Sequence, residues 1–298
     1  MRTMTALARY RDPSGQPTLG VLRDGTLTAL PINSMAELLH RSVADIRALI
    51  DAARGRSPEG ALADVTVLPP VDGRTEVWGA GVTYQRSRSA RAEESRHEQV
   101  YLDVYTAPRP ELFFKSAAWR VITEGGFAGI RDDATDSIPE PELALLLNQY
   151  AEPVGALICN DFTARSIEGE NPIYLPQAKI FDASCALSAL VVPWWELPMP
   201  QALTITLTVS RGHDTVFTGT ASTDQMRRST DELVQWLFRC QSFPDGVVLT
   251  TGTGIVPPLG DTLRIGDTVR VTIDGVGTLT NVMAAIPLTV AAPRGPHQ

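Results

Sequence analysis

Histidine, cysteine and aromatic residues are sparse in this chain of 298 residues, with four histidines, three cysteines and 6% Phe, Trp and Tyr. No HExxH or other histidine-rich ligand pattern occurs, which argues against a zinc hydrolase. Cys159, Cys185 and Cys240 are odd in number and follow no CxxC spacing. A disulfide framework and a structural zinc site are thereby disfavoured, and the three read as small apolar residues in a reducing compartment. No block of five or more like charges appears, and the net charge of −8 argues against nonspecific nucleic-acid binding. The longest apolar stretch, "CALSALVVPWW", is too short for a membrane span and carries a proline, while the N-terminal "MRTMTALARYRDPSG" lacks an apolar signal core. Glycine-rich nucleotide fingerprints, internal repeats and low-complexity segments are missing too. These absences leave a cytoplasmic protein with a small-molecule partner.

The chain is long enough for one sizeable core with a small appended domain. Short strand-like pieces around "LGVLRDGTLTAL" precede "NSMAELLHRSVADIRALIDAAR", whose apolar residues recur at helical spacing. Ser34 and Glu37 form a capping box that opens this helix, and Gly55 stops it. The turn-rich "LPPVDG" at 68–73 marks a boundary, giving a small N-terminal α+β domain over 1–70 and a main domain over 71–298. From 76 onward, β-branched and apolar runs such as "ALICND", "LTITLTVS" and "DTVRVTID" alternate with Gly, Pro and Asp and read as strands. Helical periodicity is confined to about 84–104 and to "STDELVQWLFRC", which Ser229 and Glu232 cap. The fold class is therefore mixed, β-rich α+β.

The segment "SIPEPELALLLN" places Glu140 and Glu142 among prolines. Pro139 and Pro141 disfavour helix, so the chain is extended and both glutamates point to one face, roughly 6.6 Å apart along the strand. Two like charges so close need a compensating cation if buried; otherwise they are solvated strand-end glutamates. Asp161, where "ALICN" emerges into a loop, completes a carboxylate set suited to a hard divalent ion. The following stretch concentrates Arg165, Glu168, Glu170, Asn171, Gln177 and Lys179 between apolar strands, more polar groups than a connector needs. Lys179 is its natural proton carrier, because burial beside metal and carboxylates can tune its charge; a surface lysine is the alternative. In a helix from about Tyr84, Arg88 and Arg91 fall at i and i+3 and can face together as a fork for a substrate carboxylate, or lace a solvated face. Thr253 lies between two glycines in "LTTGTGIVPP", where a ligand could approach closely or a tight turn could form.

Together "GVTYQRSRSARAEES", "RPELFFK", "IPEPELALLLN", "CNDFTARSIEGENPIYLPQAK", "TGTGIVPP" and "GVGTLTN" resemble the fumarylacetoacetate hydrolase superfamily over about residues 74–285. The run "IEGENPIYLPQAK" looks most like its 2-keto-3-deoxy-D-arabinonate dehydratase branch. The resemblance implies a fumarylacetoacetate hydrolase-like β-roll with a small N-terminal domain, assembled as a homodimer or homotetramer. It also implies Mg²⁺, or Mn²⁺ or Ca²⁺ in its place, on Glu140, Glu142 and Asp161, with Lys179 as the active-site lysine. Three positions depart from the family pattern. Hydrolase members carry a histidine three residues after the motif tyrosine, where this chain has Ser87; Ser166 replaces an aspartate, and "ALSA" at 186–189 replaces "ALGP". His97 is a reserve candidate for the missing histidine.

The reading that follows is a lyase that dehydrates a 2-keto-3-deoxy sugar acid through a metal-stabilised enolate. Lys179 and Glu170 exchange the protons, while Arg88, Arg91, Glu168, Gln177 and Thr253 contact the substrate. Hydrolysis of an acylpyruvate, or decarboxylation or tautomerisation of a small 2-oxo acid, are alternatives on the same metal platform, and a non-catalytic paralogue that binds 2-oxo acids is a third reading.

Overall fold

A computed structural model describes residues 5–58, 60–94 and 98–286. Two sheets carry most of the chain. In the larger, the strands run in the spatial order Gly60–Ala61, Thr26–Ala29, Pro17–Arg23, Thr5–Arg11, Leu190–Pro193, Pro153–Asp161, Pro141–Leu147, Val247–Thr250, Glu76–Gly81 and Glu111–Ala117. The second orders Asp214–Ser222, Thr204–Arg211, Thr268–Ile273, Gly277–Ala285 and Phe127–Ile130. Most pairings are antiparallel, but Val247–Thr250 runs parallel to Glu76–Gly81 and Gly277–Ala285 parallel to Phe127–Ile130. The expected mixed, β-rich α+β class is what the chain adopts.

Strand burial explains the apolar runs. Pro141–Leu147 and nearly all of Pro153–Asp161 are buried, so both read as continuous hydrophobic stretches. By contrast, Thr204–Arg211 alternates buried and half-exposed residues, as a sheet with one wet face should. The sheet continues across the boundary expected at 68–73: Leu7 pairs with Val191, and one apolar cluster joins Leu7, Leu19, Met35 and Ile46 to Leu146, Leu157 and Val248.

The long helix expected after Ser34 is two helices, Met35–Leu39 and Val43–Ala52. Tertiary hydrogen bonds break it. The carbonyls of Leu39, His40 and Arg41 accept from Gln149 and Asn148 instead of from the next turn. Ser42 then caps the second helix, accepting from Asp45 N at 3.2 Å. The helical stretch expected over 84–104 is observed as Gln85–Glu94 and Glu98–Thr106, and His97 lies outside the described residues. Ser229 caps Thr230–Phe238 as expected, accepting from Glu232 N at 3.1 Å.

Candidate active site

Register alone brings the three carboxylates together. Glu142 sits opposite Cys159 in the antiparallel pair, and Asp161 N donates to the Glu140 carbonyl at 2.9 Å. Opposed residues share a face, and i, i+2 neighbours share it too, so Glu140, Glu142 and Asp161 converge on one side. Each offers an oxygen within 4.8 Å of the others, and all three are buried. The prolines contribute as the sequence suggests: Pro141 opens the strand, and the extended approach is pinned by the bridge between Ile138 and Thr163 and by Asn160 Oδ1, which accepts from Glu140 N at 3.0 Å.

Lys179 ends the short helix Leu175–Lys179 and reaches back under the carboxylates. Its Nζ donates to Glu140 Oε2, to Asp161 Oδ2 at 3.1 Å and to Thr163 Oγ1 at 2.8 Å, and it lies 3.8 Å from Glu168 Oε1. Arg91, from the helix Gln85–Glu94, pairs with Glu168 and approaches Glu140 Oε1 at 3.5 Å. A second buried lysine, Lys115, pairs with Asp161 and donates to the Phe162 carbonyl at 3.0 Å. Four buried carboxylates thus meet three buried cations.

The mismatch falls on Glu142, whose Oε2 accepts from Gly252 N–H at 2.7 Å. Burial, with Asp161 and Glu140 close by, pushes its carboxyl up to about 8. Glu140 goes the other way: burial opposes its charge, yet Lys179 and Arg91 hold it down at about 2. Glu168 is pushed up to about 7 by burial, which Arg91 and Lys179 only partly offset. Burial favours a neutral Lys179, but Asp161, Glu140 and Glu168 outweigh it and raise its pKa. A buried oxygen cluster one cation short fits a hard divalent ion well.

The cavity beside this cluster is small, about 10 Å³, and includes Gly81, Val82, Ser87, Phe113 and Thr253 in its wall. Two glycines allow the close packing around it. A Cβ on Gly81 would lie 2.0 Å from Glu111 Oε2, and one on Gly252, at φ +86°, would lie 2.1 Å from Thr83 Oγ1. Glu111 Oε2 and the Tyr84 hydroxyl are buried with no hydrogen-bond partner among the described residues.

Of the residues expected from sequence, Glu140, Glu142, Asp161, Lys179, Arg91, Glu168 and Thr253 gather here. Arg88 does not join Arg91 in a fork; its guanidinium lies 5.5 Å from the Tyr105 ring centroid. Glu170 and Gln177 are exposed, with Glu170 on an outer groove beside Asp136 and Ser166. The reason is helical phase: Glu168 turns inward and Glu170 outward in Arg165–Glu170, as Lys179 turns inward and Gln177 outward in Leu175–Lys179, whereas in a loop they are alike. Lys115, Thr163, Glu111 and Val82 escape the sequence reading. Only Lys115 leaves a trace there, as a lysine in phase with Phe113 along the strand Glu111–Ala117.

The departures from the family pattern serve the backbone. Ser166 Oγ accepts from Thr135 N at 3.1 Å, and Ser188 Oγ accepts from Ile158 N at 3.0 Å. Ser87 lines the cavity, but its hydroxyl donates to the Tyr84 carbonyl at 2.9 Å.

The fumarylacetoacetate (FAA) hydrolase C-terminal family matches residues 76–284, and the chain belongs to this family. A probable 2-keto-3-deoxyxylonate dehydratase of Haloferax volcanii is 42% identical over 76% of this chain and 78% of its own length. A 2-dehydro-3-deoxy-D-arabinonate dehydratase of Saccharolobus solfataricus is 40% identical over 72% of this chain and 74% of its own. Among solved structures, 2-keto-3-deoxy-D-arabinonate dehydratase complexed with magnesium and 2,5-dioxopentanoate superposes with a TM-score of 0.78 at 31% identity, covering 95% of this chain and 99% of the other.

Proposed function

We propose that this chain is a divalent-metal-dependent dehydratase of 2-keto-3-deoxy sugar acids, with Mg²⁺ held by Glu140, Glu142 and Asp161. The observation that carries the reading is the buried carboxylate triad, its oxygens within 4.8 Å and its charge incompletely balanced. The names of the similar dehydratases, and the magnesium and 2,5-dioxopentanoate in the superposed structure, support the same substrate class. A divalent ion in this site supplies positive charge beside the 2-oxo group, where negative charge builds as C3 loses a proton.

The chain's own groups move the protons. Glu140, Glu142 and Asp161 would hold the ion, and sharing the charges of Glu140 and Asp161 with it would ease the hold they have on a protonated Lys179 Nζ, the group placed to take a proton from C3. Glu168, at about 7 and within 3.8 Å of Lys179, is poised to protonate the departing C4 hydroxyl. For a five-carbon substrate, shift of a proton from C5 to C3 and collapse of the resulting enol then yield 2,5-dioxopentanoate. That sequence needs two proton carriers and no redox partner. Arg91 holds Glu168 in position and lines the cavity from the helix side.

Ser87 weighs against hydrolysis, because its engaged hydroxyl replaces the histidine that would activate water in the hydrolases. The finer parts of the reading are a cytoplasmic enzyme, supported by three free cysteines, and assembly as a homodimer or homotetramer, which sedimentation velocity tests. Purified protein with Mg²⁺ and 2-keto-3-deoxyarabinonate or 2-keto-3-deoxyxylonate is expected to yield a product lighter by one water with the carbon chain intact. Cleavage of an acylpyruvate in place of that product would overturn the proposal.

A further inference from the structure

Among the described residues, four that are not glycine hold left-handed backbone: Asp24, Val82, Ala151 and Ala183. Val82, at φ 51°, is the anomaly, because a β-branched side chain tolerates that region worst. It is buried and forms part of the wall of the carboxylate cavity.

Its neighbours keep the strain in place. Gly81 before it is pressed against Glu111, where a Cβ would meet Oε2 at 2.0 Å. Thr83 after it is clamped twice, its hydroxyl donating to the Thr251 carbonyl at 2.6 Å and its own carbonyl accepting from Arg227 N at 2.9 Å. Thr83 also fills the space beside Gly252, whose N–H holds Glu142. The backbone at 82 is therefore set by contacts that also shape the carboxylate site. Glycine would meet that conformation without strain, yet the position carries an isopropyl group. Strain that surroundings over-determine in a cavity wall points to a use for the side chain.

We propose that Val82 is a specificity-determining residue, forming with Phe113 an apolar wall that packs against C3 of a 2-oxo acid and admits only an unbranched methylene there. The inference rests on the function proposed above. An acid held at the carboxylate cluster through its C1 and C2 oxygens presents C3 as its first free carbon, so the wall beside the cluster reads that carbon. Val82 and Phe113 offer it no side-chain hydrogen-bonding group, which suits a carbon that carries no hydroxyl.

Calorimetry on the Mg²⁺-loaded protein tests this with two probes that lack a leaving group at C4: 2-oxobutyrate, with a C3 methylene, and 3-methyl-2-oxobutyrate, with one more methyl at C3. One such group in an apolar pocket discriminates by about tenfold or more, and the wild-type protein is expected to favour 2-oxobutyrate by that factor. Val82→Ala should shrink the preference to about threefold or less by opening space at the wall. Val82→Leu should weaken both acids at least about tenfold while Mg²⁺ uptake stays unchanged. Val82→Gly should melt at a higher temperature than Val82→Ala, because glycine takes the left-handed conformation without strain. A wild-type protein that binds both acids alike, a preference unmoved in Val82→Ala, or a Val82→Leu variant that binds both acids as the wild type does would overturn the inference and leave the dehydratase reading standing. Mg²⁺ uptake with neither acid bound by the wild type would overturn both.

Discussion

Glu142 bears the largest uncompensated cost in the site, and its titration is measurable. Folding raises its carboxyl from an ordinary 4.5 to about 8, so between those values the metal-free folded protein holds a proton that the unfolded chain releases. Stability contributed by this group is therefore present at low pH and lost as pH rises toward 8. Glu168, raised to about 7, acts in the same direction, while Glu140, lowered to about 2, adds stability above 4.5 that disappears as pH falls through 2. The melting midpoint of the metal-free protein should decline from pH 5 to pH 8, and differential scanning calorimetry would show it. Metal uptake displaces the same proton, so apparent Mg²⁺ affinity should climb up to about tenfold per pH unit and level off above about 8. Glu142→Gln should remove most of the affinity and its pH slope, and should leave in the melting midpoint only the decline below about pH 7 that Glu168 contributes.

Lys179 gives a second residue-scale test. Its Nζ pairs with two of the three carboxylates, so it competes with a metal for their charge. Lys179→Met should cost the metal-free protein about 3–5 kcal/mol, the usual penalty for breaking a buried pair, and Mg²⁺ should recover much of it. Turnover should fall by at least about 10²-fold while Mg²⁺ affinity holds or rises. Loss of metal binding along with turnover would contradict a proton-carrying role.

Elements position these residues through hydrogen bonds that span the fold. Ser188 bridges the strands Pro153–Asp161 and Leu190–Pro193, accepting from Ile158 N and donating to the Leu190 carbonyl at 3.1 Å. Ser188→Ala leaves a buried N–H unpaired in the strand that ends in Asp161, and should cost about 1–3 kcal/mol in denaturant unfolding. Gly252→Ala should be more damaging, since the new Cβ meets Thr83 Oγ1 at 2.1 Å and the Ala80 carbonyl at 2.8 Å. That change should lower both the melting midpoint and Mg²⁺ affinity, because the same residue's N–H holds Glu142. At this scale the strands around the site were legible as apolar runs, and the Ser229 cap as a local motif. The break at 40–42 was not, because it depends on Asn148 and Gln149, more than a hundred residues away in sequence.

The whole molecule ties its first seventy residues to the site. Thr5–Arg11 pairs with Leu190–Pro193, which in turn pairs with Pro153–Asp161, the strand that delivers Asp161. Arg9 donates to the carbonyls of Pro69 and Val71 and pairs with Asp72 at 3.0 Å, fastening the joint between the two segments. A chain starting at residue 71 would expose Leu146, Leu157 and Val248, which are buried against the N-terminal strands and helices. Such a truncation is expected to aggregate, and recovery of a soluble, cooperatively melting 71–298 fragment would show that the shared core is dispensable.

Local signals in the sequence raised the carboxylate triad and Lys179 as candidates, and the family motifs selected them. Prolines force an extended chain, period two puts Glu140 and Glu142 on one face, and Asp161 ends an apolar strand. Family motifs then added the fold. What tertiary structure alone decided was which polar residues entered the buried cluster. Lys115 is drawn in by Asp161 from a strand that three others separate from it in the sheet, Glu168 rather than Glu170 by helical phase, and Arg91 without Arg88 by the contact of Arg88 with Tyr105. Val82 is strained only because Glu111, Thr251 and Arg227 fix its neighbours from three other parts of the chain. Charge compensation in a buried site depends on distance, and distances between segments far apart in sequence exist only once the chain has folded.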